Sequence, residues 1–339
     1  MNDKDIKDVL NTGIFPYDPD KKAELIETPI SYVILKGKYA YKIKKNIKLS
    51  FLNFSSLTNR KHYCQEELRL NKRLSGDMYI RILPLSKKNS QWFIGNSKGS
   101  IKEYAVLMKR MNPARQLNYV LEHGRVSKKF IIKLANVISN FHLHEKSLKI
   151  PYNPFFLSNE FEDIQSVNAE IKKRLGITYH ALVKNAIKLS NIFILLQQEF
   201  VAKRAKMGYF RDCHGDLHAK NIFIYKEPLI FDCIEFKKEF RQIDVLNEIA
   251  FLCMDLETAG YKDLSKTFLN AYIKQTGFEF TEKEKHLFTY FKASRACIRA
   301  KVAAIDMIQH PENKSIEAET KKYIIAMTQY AEKAVTAIL

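Results

Sequence analysis

Cysteine is scarce and scattered in this sequence. The 339 residues contain five cysteines, and no two of them form a C-x-x-C pair: Cys64, Cys213, Cys233, Cys253 and Cys297. An odd number at wide spacing excludes a disulfide framework and gives no zinc-binding pattern. The cysteines therefore favour a chain of the reducing cytoplasm.

Glycine, proline and long apolar runs are also in short supply. Only 11 Gly and 9 Pro stand beside 46% hydrophobic residues, which excludes a collagen-like or disordered chain and predicts a packed globular one. No run approaches 18 apolar residues, and the N-terminal MNDKDIKDVL is charged where a signal peptide is apolar. We therefore expect a cytoplasmic chain without a membrane span. Its length predicts about two domains or lobes.

Positive charge is abundant. The 56 Lys and Arg residues outnumber the 37 Asp and Glu residues, which gives a formal net charge of +19. Such a balance favours anionic partners such as nucleic acid, an anionic membrane or nucleotide phosphates. The basic residues are scattered among acidic ones and no nucleic-acid-reading module occurs, so we expect no specific nucleic-acid partner.

The period of the apolar residues changes along the chain. Strand-like runs dominate from about residue 23 to 111, interrupted by one helical segment from about Leu57 to Leu74. Beyond residue 112 the spacing is helical, except for two short strand runs at Asn221–Tyr225 and Leu229–Asp232. The sequence predicts an α+β chain. Its lobe 1–111 holds a small antiparallel sheet and one main helix, and its mostly helical lobe 112–339 carries a hairpin.

Three polar residues flank this predicted hairpin: Asp216, Asn221 and Asp232. Phosphoryl transfer needs a carboxylate to accept the proton of the attacking hydroxyl and two oxygen ligands for Mg²⁺. Asp216 fits the first role, and Asn221 and Asp232 fit the second. Each residue alone is explained as a turn former or cap. Together, beside strands that are otherwise almost wholly apolar, they favour a functional site.

The pattern H-G-D-x-x-x-x-N, here His214 to Asn221, followed by a strand-borne Asp, resembles the aminoglycoside phosphotransferase and choline kinase-like enzymes, distant relatives of protein kinases. The wider sequence is closer still to an uncharacterised bacterial kinase-like domain that is often fused to a P-loop ATPase domain. The similar segments are 31–54, 60–74, 213–257 and 293–304. The chain has no G-x-x-x-x-G-K-[ST] loop, so we expect any such ATPase domain on another chain. The resemblance implies a bilobal protein-kinase-like fold that uses ATP or GTP with Mg²⁺.

A kinase fold also needs a strand lysine, two residues after a small residue, and a helix glutamate that pairs with it. Ala40 and Lys42 have that spacing, and Lys44 lies on the same strand face as an alternative. Glu67 falls near the middle of the apolar face of the predicted helix and Glu66 falls at its edge, so we expect Glu67 to pair with Lys42. The other interpretation is that the lysines form a solvated basic edge.

The remaining nucleotide contacts are predicted from position. After the predicted strand 104–108, residues 109–111 would form the hinge that meets adenine, which assigns Met108 and Arg110 to the nucleotide. Residues 28–31 replace the Gly-rich turn of protein kinases. Phosphate contacts would then come from backbone N–H groups and the Ser31 hydroxyl.

Departures from the protein-kinase pattern favour a small-molecule kinase. His218 stands where protein kinases carry Lys, Gly215 where they carry Arg, and Asp232-Cys233-Ile234 where they carry Asp-Phe-Gly. His214 completes the catalytic motif. We place His218 near the transferred phosphate, with a hydrogen-bonded loop residue as the alternative.

Further charged residues lie downstream. The resemblance implies that Asp244 braces the catalytic loop. Arg295 and Arg299 are one helical turn apart with Lys301 nearby, which suggests contacts to an acidic group of the acceptor; a solvated helix face is the more usual explanation.

The sequence thus predicts a transferase that moves the γ-phosphoryl group of ATP or GTP to a hydroxyl of a small molecule. Three alternatives stay open: a non-catalytic nucleotide-binding module with a protein partner, a protein kinase, and a nucleotidyl transferase. The identity of the acceptor is open, since one fold serves many substrates.

Overall fold

The computed structural model describes residues 1–49, 51–124, 126–149 and 151–339. They form two compact units: the first comprises 1–120 and 221–240, the second 121–220 and 241–339. The hairpin segment 221–240 belongs to the first unit because Phe223 and Phe231 join its apolar cluster. The assignment of functional lobes to 1–111 and 112–339 stays a prediction.

The strands before residue 110 are β1 Ala23–Glu27, β2 Ser31–Lys36, β3 Tyr39–Lys44, β4 Lys48–Leu49, β5 Leu52–Asn53, β6 Tyr79–Lys88, β7 Gln91–Ile94 and β8 Ser100–Lys109. Six of them form an antiparallel sheet in the order β1-β2-β3-β8-β6-β7, which organises the first unit, while β4 and β5 form a separate ribbon. Gly37 lies in the two-residue loop between β2 and β3 with φ +55°, a conformation that residues with side chains disfavour.

Two main helices accompany this sheet, α1 Asp3–Thr12 and α2 Leu57–Asn71. Helix α2 begins at Ser56, whose side chain accepts the N–H of Asn59. It ends at Asn71 rather than near Leu74, because the following residues tighten into bonds of the i to i−3 type. A short 3₁₀ helix, Pro113–Arg115, and α3 Leu117–Glu122 follow β8.

Alternate residues of β3 face two different apolar layers. Tyr41 packs with α1 in one layer, whereas Ala40 packs with Cys64 of α2 in the other. Because strand side chains alternate, Lys42 shares the face of Ala40.

The hairpin is shorter than predicted: β10 spans only Ile222–Phe223 and β11 only Leu229–Ile230. Ile224 leaves the pairing because its N–H donates to the carbonyl of Arg115 at 2.7 Å. Asp232 has φ +66°, a value that no extended strand adopts.

The second unit is mostly helical. Short strands β9 Phe210–Asp212 and β12 Gln242–Asp244 pair antiparallel. The helices are α4 Lys128–His144, α5 Phe155–Glu162, α6 Asn168–Leu175, α7 Ile177–Lys206, α8 Val245–Thr258, α9 Lys262–Thr276, α10 Glu282–Gln309 and α11 Lys314–Thr336. Residues of α5 to α8, α10 and α11 share one apolar core.

The prediction of an α+β chain, with an antiparallel N-terminal sheet and a mostly helical C-terminal part, is confirmed. In the part of the chain that the structure describes, none of the helices has both the length and the apolar character that a membrane crossing requires.

Candidate active site

Lys42 is the central cation of the first unit. Its Nζ lies 2.8 Å from Oε1 of Glu67 and 2.5 Å from Oδ1 of Asp232. Burial opposes the ammonium charge, but the two carboxylates raise the pKa of Lys42 well above its ordinary value. Lys42 therefore stays charged. Its side chain is 12% exposed, which leaves the ammonium group within reach of solvent.

Glu67 binds two lysines at once. Lys44 Nζ lies 2.7 Å from Oε2 of Glu67 and also contacts the carboxylate of Glu235. Burial acts to raise the pKa of Glu67, yet Lys42 and Lys44 lower it. Glu66, by contrast, lies near the surface with Arg69 2.7 Å away. The structure thus places Glu67, not Glu66, beside the strand lysines, and Lys44 is almost wholly buried.

Asp232 is held in its left-handed conformation by its neighbours. The next N–H, of Cys233, donates to Oδ1 of Asn71 at 2.9 Å, and Nδ2 of Asn71 donates to the carbonyl of Glu67 at 2.9 Å. The N–H of Asp232 itself makes a longer contact, 3.4 Å, with the hydroxyl of Tyr79. Sequence reasoning missed Asn71, although its position four residues after Glu67 places it on the same buried helix face.

Asn221 and Asp232, the predicted metal ligands, flank the short hairpin: Asn221 directly precedes β10, and Asp232 follows β11 by two residues. The N–H of Phe231 donates to the carbonyl of Asn221 at 3.1 Å, so Asn221 lies opposite the residue before Asp232. A carboxylate and an amide oxygen are hard donors that suit Mg²⁺. The Asp232 side chain is 43% exposed, which leaves room for a second cation besides Lys42. The donor set therefore fits the implied metal.

Met108 and Ala40 are opposite each other in the pairing of β8 with β3 and belong to one buried apolar cluster. Arg110 is exposed: its guanidinium lies 3.1 Å from Glu24, and its N–H donates to the carbonyl of Lys38. The Arg110 N–H already has a backbone acceptor and is therefore not free to donate to adenine. The apolar character expected around a base is present at Met108.

Ser31 is wholly buried, and its hydroxyl has no hydrogen-bond partner among the described residues, so the contact of this hydroxyl with a phosphate stays a prediction. Its N–H donates to Oγ1 of Thr28 at 2.9 Å, and its carbonyl accepts the Thr28 N–H. These bonds close a tight turn over the side chain. The serine is therefore a structural part of the turn.

In the second unit, helix α8 anchors the loop that carries Asp216. The carboxylate of Glu248 accepts the N–H groups of His214 and Gly215 at 2.7 and 3.0 Å. Asp255, two helical turns later on the same face, accepts the N–H of Ala219 at 2.8 Å. Gly215 has φ +88°, where a side chain is disfavoured. Three backbone donors, the buried Glu248 and the half-buried Asp255 thus fix this loop.

Arg295 of α10 completes the anchoring. Its Nε donates to Oδ1 of Asn247 at 2.8 Å and its Nη1 to the carbonyl of Gly215 at 3.2 Å. Burial raises the pKa of Glu248 to about 7, against the opposing effect of Arg295 and of the two N–H donors. Arg295 is buried, so the solvated-face explanation is wrong for it. Arg299 lies 2.8 Å from Glu319.

Asp216 is held as a carboxylate by histidine. Burial acts to raise its pKa, but His218, whose Nε2 lies 3.2 Å from Oδ2, and His214 hold the pKa well below the ordinary value. Nδ1 of His218 accepts the N–H of Lys220 at 3.2 Å. These contacts require a hydrogen on Nε2, which donates to Asp216. In the same way Nδ1 of His214 accepts the N–H of Asp216 at 3.3 Å.

Asp244 does not contact this loop by its side chain. It accepts the N–H of Leu246 at the start of α8 and binds Arg204 of α7 through both oxygens, at 2.6 and 3.0 Å. The bracing role implied for Asp244 belongs instead to Glu248, Asp255 and Arg295. A glutamate inside the run 245–254, in which Asn247 is the other polar residue, is the signal by which Glu248 could have been found.

Comparison with solved structures identifies the fold. Choline kinase from Cryptosporidium parvum matches with a TM-score of 0.55 and 10% identity, covering 94% of this chain and 91% of that one. An aminoglycoside phosphotransferase in complex with GDP and kanamycin matches with a TM-score of 0.50 and 11% identity, covering 92% and 93%. The chain has the kinase-like fold of these proteins. At such low identities, the structural similarity establishes the fold alone.

Sequence comparison adds a relative of the kinase-like chain. An uncharacterised protein of Mycobacterium tuberculosis is 28% identical over 333 residues, which cover 94% of this chain and 62% of that protein. The chain therefore spans about six-tenths of the length of the curated relatives it matches. No family model matches the sequence.

Proposed function

We propose that this chain is a phosphotransferase that moves the γ-phosphoryl group of ATP or GTP to a hydroxyl group of a small molecule. One observation carries the proposal: Lys42 binds both a helix carboxylate, Glu67, and a strand-end carboxylate, Asp232. Strand β3, which carries Lys42, also carries Ala40, and Ala40 belongs to the apolar cluster that contains Met108. A charged pair beside an apolar surface suits a nucleotide, which has phosphates at one end and a base at the other.

Lys42 is the lysine to which we assign the phosphates. Its side chain is 12% exposed, whereas that of Lys44 is 1% exposed and binds two carboxylates. Only the first can exchange a carboxylate for a phosphate at little cost. Glu67 would then keep the Lys42 ammonium directed while Asp232 is released.

Asn221 and Asp232 would hold Mg²⁺ in this proposal. The metal neutralises the charge that develops on the transferred phosphoryl group. The Cys233 N–H bond to Asn71 restrains the backbone that carries the Asp232 carboxylate. The positive φ of Asp232 is maintained by the same bond.

Asp216 would act as the base. It accepts the proton of the acceptor hydroxyl while the hydroxyl oxygen bonds to the γ-phosphorus and the bond from phosphorus to the bridging oxygen breaks, which releases the nucleoside diphosphate. The low pKa of Asp216 keeps it ionised at neutral pH. His218 donates to Oδ2 and thereby fixes the plane of the carboxylate, and His214 supports the loop.

The acceptor is proposed by chemical class. Proteins with this fold are named for choline, or are solved with kanamycin, and both molecules are alcohols that carry amino or ammonium groups. We therefore propose amino alcohols as the first acceptors to test. Arg295 and Arg299 bind other protein groups, so the proposal of an acidic acceptor loses its support. The proposal includes residence in the cytoplasm, where nucleoside triphosphates are available, and no specific nucleic-acid partner.

A transfer assay tests the proposal. The protein is incubated with Mg²⁺ and γ-labelled ATP or GTP, together with amino alcohols, aminoglycosides, sugars and a metabolite extract. We expect label in one acceptor, and a loss of at least about 100-fold for Asp216→Asn with nucleotide binding retained. The control is Asp77→Asn, which changes an aspartate whose side chain is 83% exposed. Equal transfer by Asp216→Asn would contradict the role of Asp216. Nucleotide-dependent stabilisation without transfer to any acceptor would favour the non-catalytic module instead.

A further inference from the structure

The segment that follows β11 is bound to β3 at two points. Asp232 binds Lys42, and three residues later Glu235 binds Lys44. Lys42 and Lys44 are alternate residues of β3 and share one face, so the two ion pairs lie side by side. Glu67 joins them, since one of its oxygens contacts each lysine.

The two ion pairs differ in their access to solvent. The side chains of Lys44 and Glu235 are only 1% and 4% exposed, while that of Asp232 is 43% exposed. The ammonium of Lys44 also lies 4.9 Å from the centre of the Phe54 ring. A ligand from solvent can therefore reach Lys42 and Asp232, whereas Lys44 and Glu235 are enclosed by protein.

Burial of such a pair calls for an explanation other than stability. Removing two charges from water is costly, and well-packed apolar side chains of similar volume commonly give equal or greater stability. Ion pairs that are kept in spite of this cost suit a role in fixing geometry, because charge and hydrogen-bond direction restrict both partners.

Binding of a nucleotide with Mg²⁺ gives Lys44 and Glu235 such a role. The proposed function requires Lys42 to exchange Asp232 for a phosphate and Asp232 to exchange Lys42 for the metal. That exchange would remove the direct contact between β3 and Asp232. Lys44 does not take part in the exchange, so it can hold both Glu67 and the segment 232–235 in place throughout.

We propose that Lys44 and Glu235 are a positioning pair that keeps Glu67 and Asp232 in their binding geometry when a magnesium-bound nucleotide separates Lys42 from Asp232. This inference rests on the proposed function. It makes Lys44 a positioning residue rather than a phosphate ligand, and it gives Glu235 a function that its sequence position alone does not reveal.

The test compares charge-balanced variants. Lys44→Met alone leaves buried Glu235 without its cation and destabilises the fold, so the informative variant is the double change Lys44→Met with Glu235→Met, which removes both charges. The matched control removes the neighbouring surface pair with Lys45→Met and Glu27→Met, since Lys45 Nζ and Oε1 of Glu27 lie 2.5 Å apart and the Glu27 side chain is 56% exposed. Lys44→Arg keeps the charge and serves as the conservative variant.

Two measurements are made on the full chain. Calorimetry gives the Kd of a non-hydrolysable ATP or GTP analogue at several Mg²⁺ concentrations. Hydrogen exchange without nucleotide gives the protection of the Cys233 amide, whose N–H donates to Oδ1 of Asn71. For the double variant we expect Kd to rise at least about 10-fold, the Mg²⁺ requirement to increase, and the Cys233 amide to exchange faster. Lys44→Arg, which keeps the charge, should change each of these three quantities less than the double variant does. The control variant Lys45→Met with Glu27→Met should change none of them.

The outcomes separate this inference from the function on which it rests. A double variant with unchanged Kd, Mg²⁺ requirement and Cys233 exchange overturns the positioning role and leaves the phosphotransferase proposal intact. A lower melting temperature with unchanged Kd and exchange also overturns it, because that pattern indicates stability alone. If the wild-type chain binds no magnesium nucleotide, the proposed function fails, and the positioning role fails with it.

Discussion

Lys42 and Asp232 are 190 residues apart in the sequence, yet the lysine Nζ lies 2.5 Å from Oδ1 of the aspartate. Without a nucleotide the two ends of the proposed phosphate site therefore neutralise each other. A ligand that enters must offer both a negative group for Lys42 and, through a metal, a positive one for Asp232. A nucleotide bound to Mg²⁺ would satisfy both demands, with phosphate oxygens for Lys42 and the metal for Asp232.

Lys42→Met should weaken nucleotide binding. The variant keeps an unbranched side chain of similar length but removes the charge that we assign to the phosphates. We expect Kd for magnesium ATP or GTP to rise by about 10- to 100-fold, as measured by calorimetry. Lys45→Met is the control because Lys45 pairs with Glu27, whose side chain is 56% exposed, and pairs with an exposed partner contribute about 0 to 1 kcal/mol. Equal affinities of the two variants would contradict the assignment of Lys42.

Glu67→Gln should destabilise the first unit strongly. The substitution leaves two buried ammonium groups, Lys42 and Lys44, with one carboxylate fewer between them. Breaking a buried ion pair in this way commonly costs about 3 to 5 kcal/mol of unfolding free energy. Denaturant titration measures it, with Glu66→Gln as the control. Glu66 pairs with Arg69 nearer the surface, so that change should cost less than about 1 kcal/mol. Similar midpoints for the two variants would refute the expectation.

Stability should depend on the ionisation of Glu248. Burial raises its pKa from 4.5 to about 7, so between these values the unfolded chain loses the proton while the folded chain keeps it. The contribution of Glu248 to stability therefore falls as pH rises from about 4.5 to 7, by up to roughly 3 kcal/mol, and is constant above. The difference in unfolding free energy between the wild-type chain and Glu248→Gln, measured from pH 4 to 8, isolates this contribution. A difference that does not change with pH would show that folding leaves the pKa of Glu248 at its ordinary value.

His218→Phe should shift the pH dependence of transfer. The ring keeps its packing near Phe251 but loses the Nε2 donor, whose effect on Asp216 lowers the pKa of that carboxyl. The pKa of Asp216 should then rise, so the acid limb of the pH profile for kcat/KM should move to higher pH. His62→Asn, at an exposed position, serves as the control. An unmoved acid limb would assign His218 to loop structure alone.

Local patterns predicted those parts of the fold that depend on local forces. The alternation of residues 31–44 predicted β2 and β3, because strand period and turn chemistry act over a few residues. The helical wheel placed Glu67 on a buried face for the same reason. Glu235 could not be found in this way, since its partner Lys44 lies 191 residues away. The sequence favours a solvated position for Arg295, because spacing on one helix does not reveal which element covers a residue.

The hairpin predictions show a second limit. The apolar run 221–225 has strand composition, yet pairing stops after Phe223 because the carbonyl of Arg115 offers Ile224 another partner. Such competition between hydrogen-bond acceptors depends on tertiary structure and is not encoded in the period of the residues.

The composition of the first unit from two stretches of chain has a practical consequence for dissection of the protein. A recombinant fragment that stops at residue 120 would lack Phe223, Leu229 and Phe231, which cover the apolar cluster around Ala40 and Met108. Such a truncation product would expose that cluster to water and tend to self-associate. A single-chain version of this unit would need residues 221–240 grafted behind residue 120 through a designed linker.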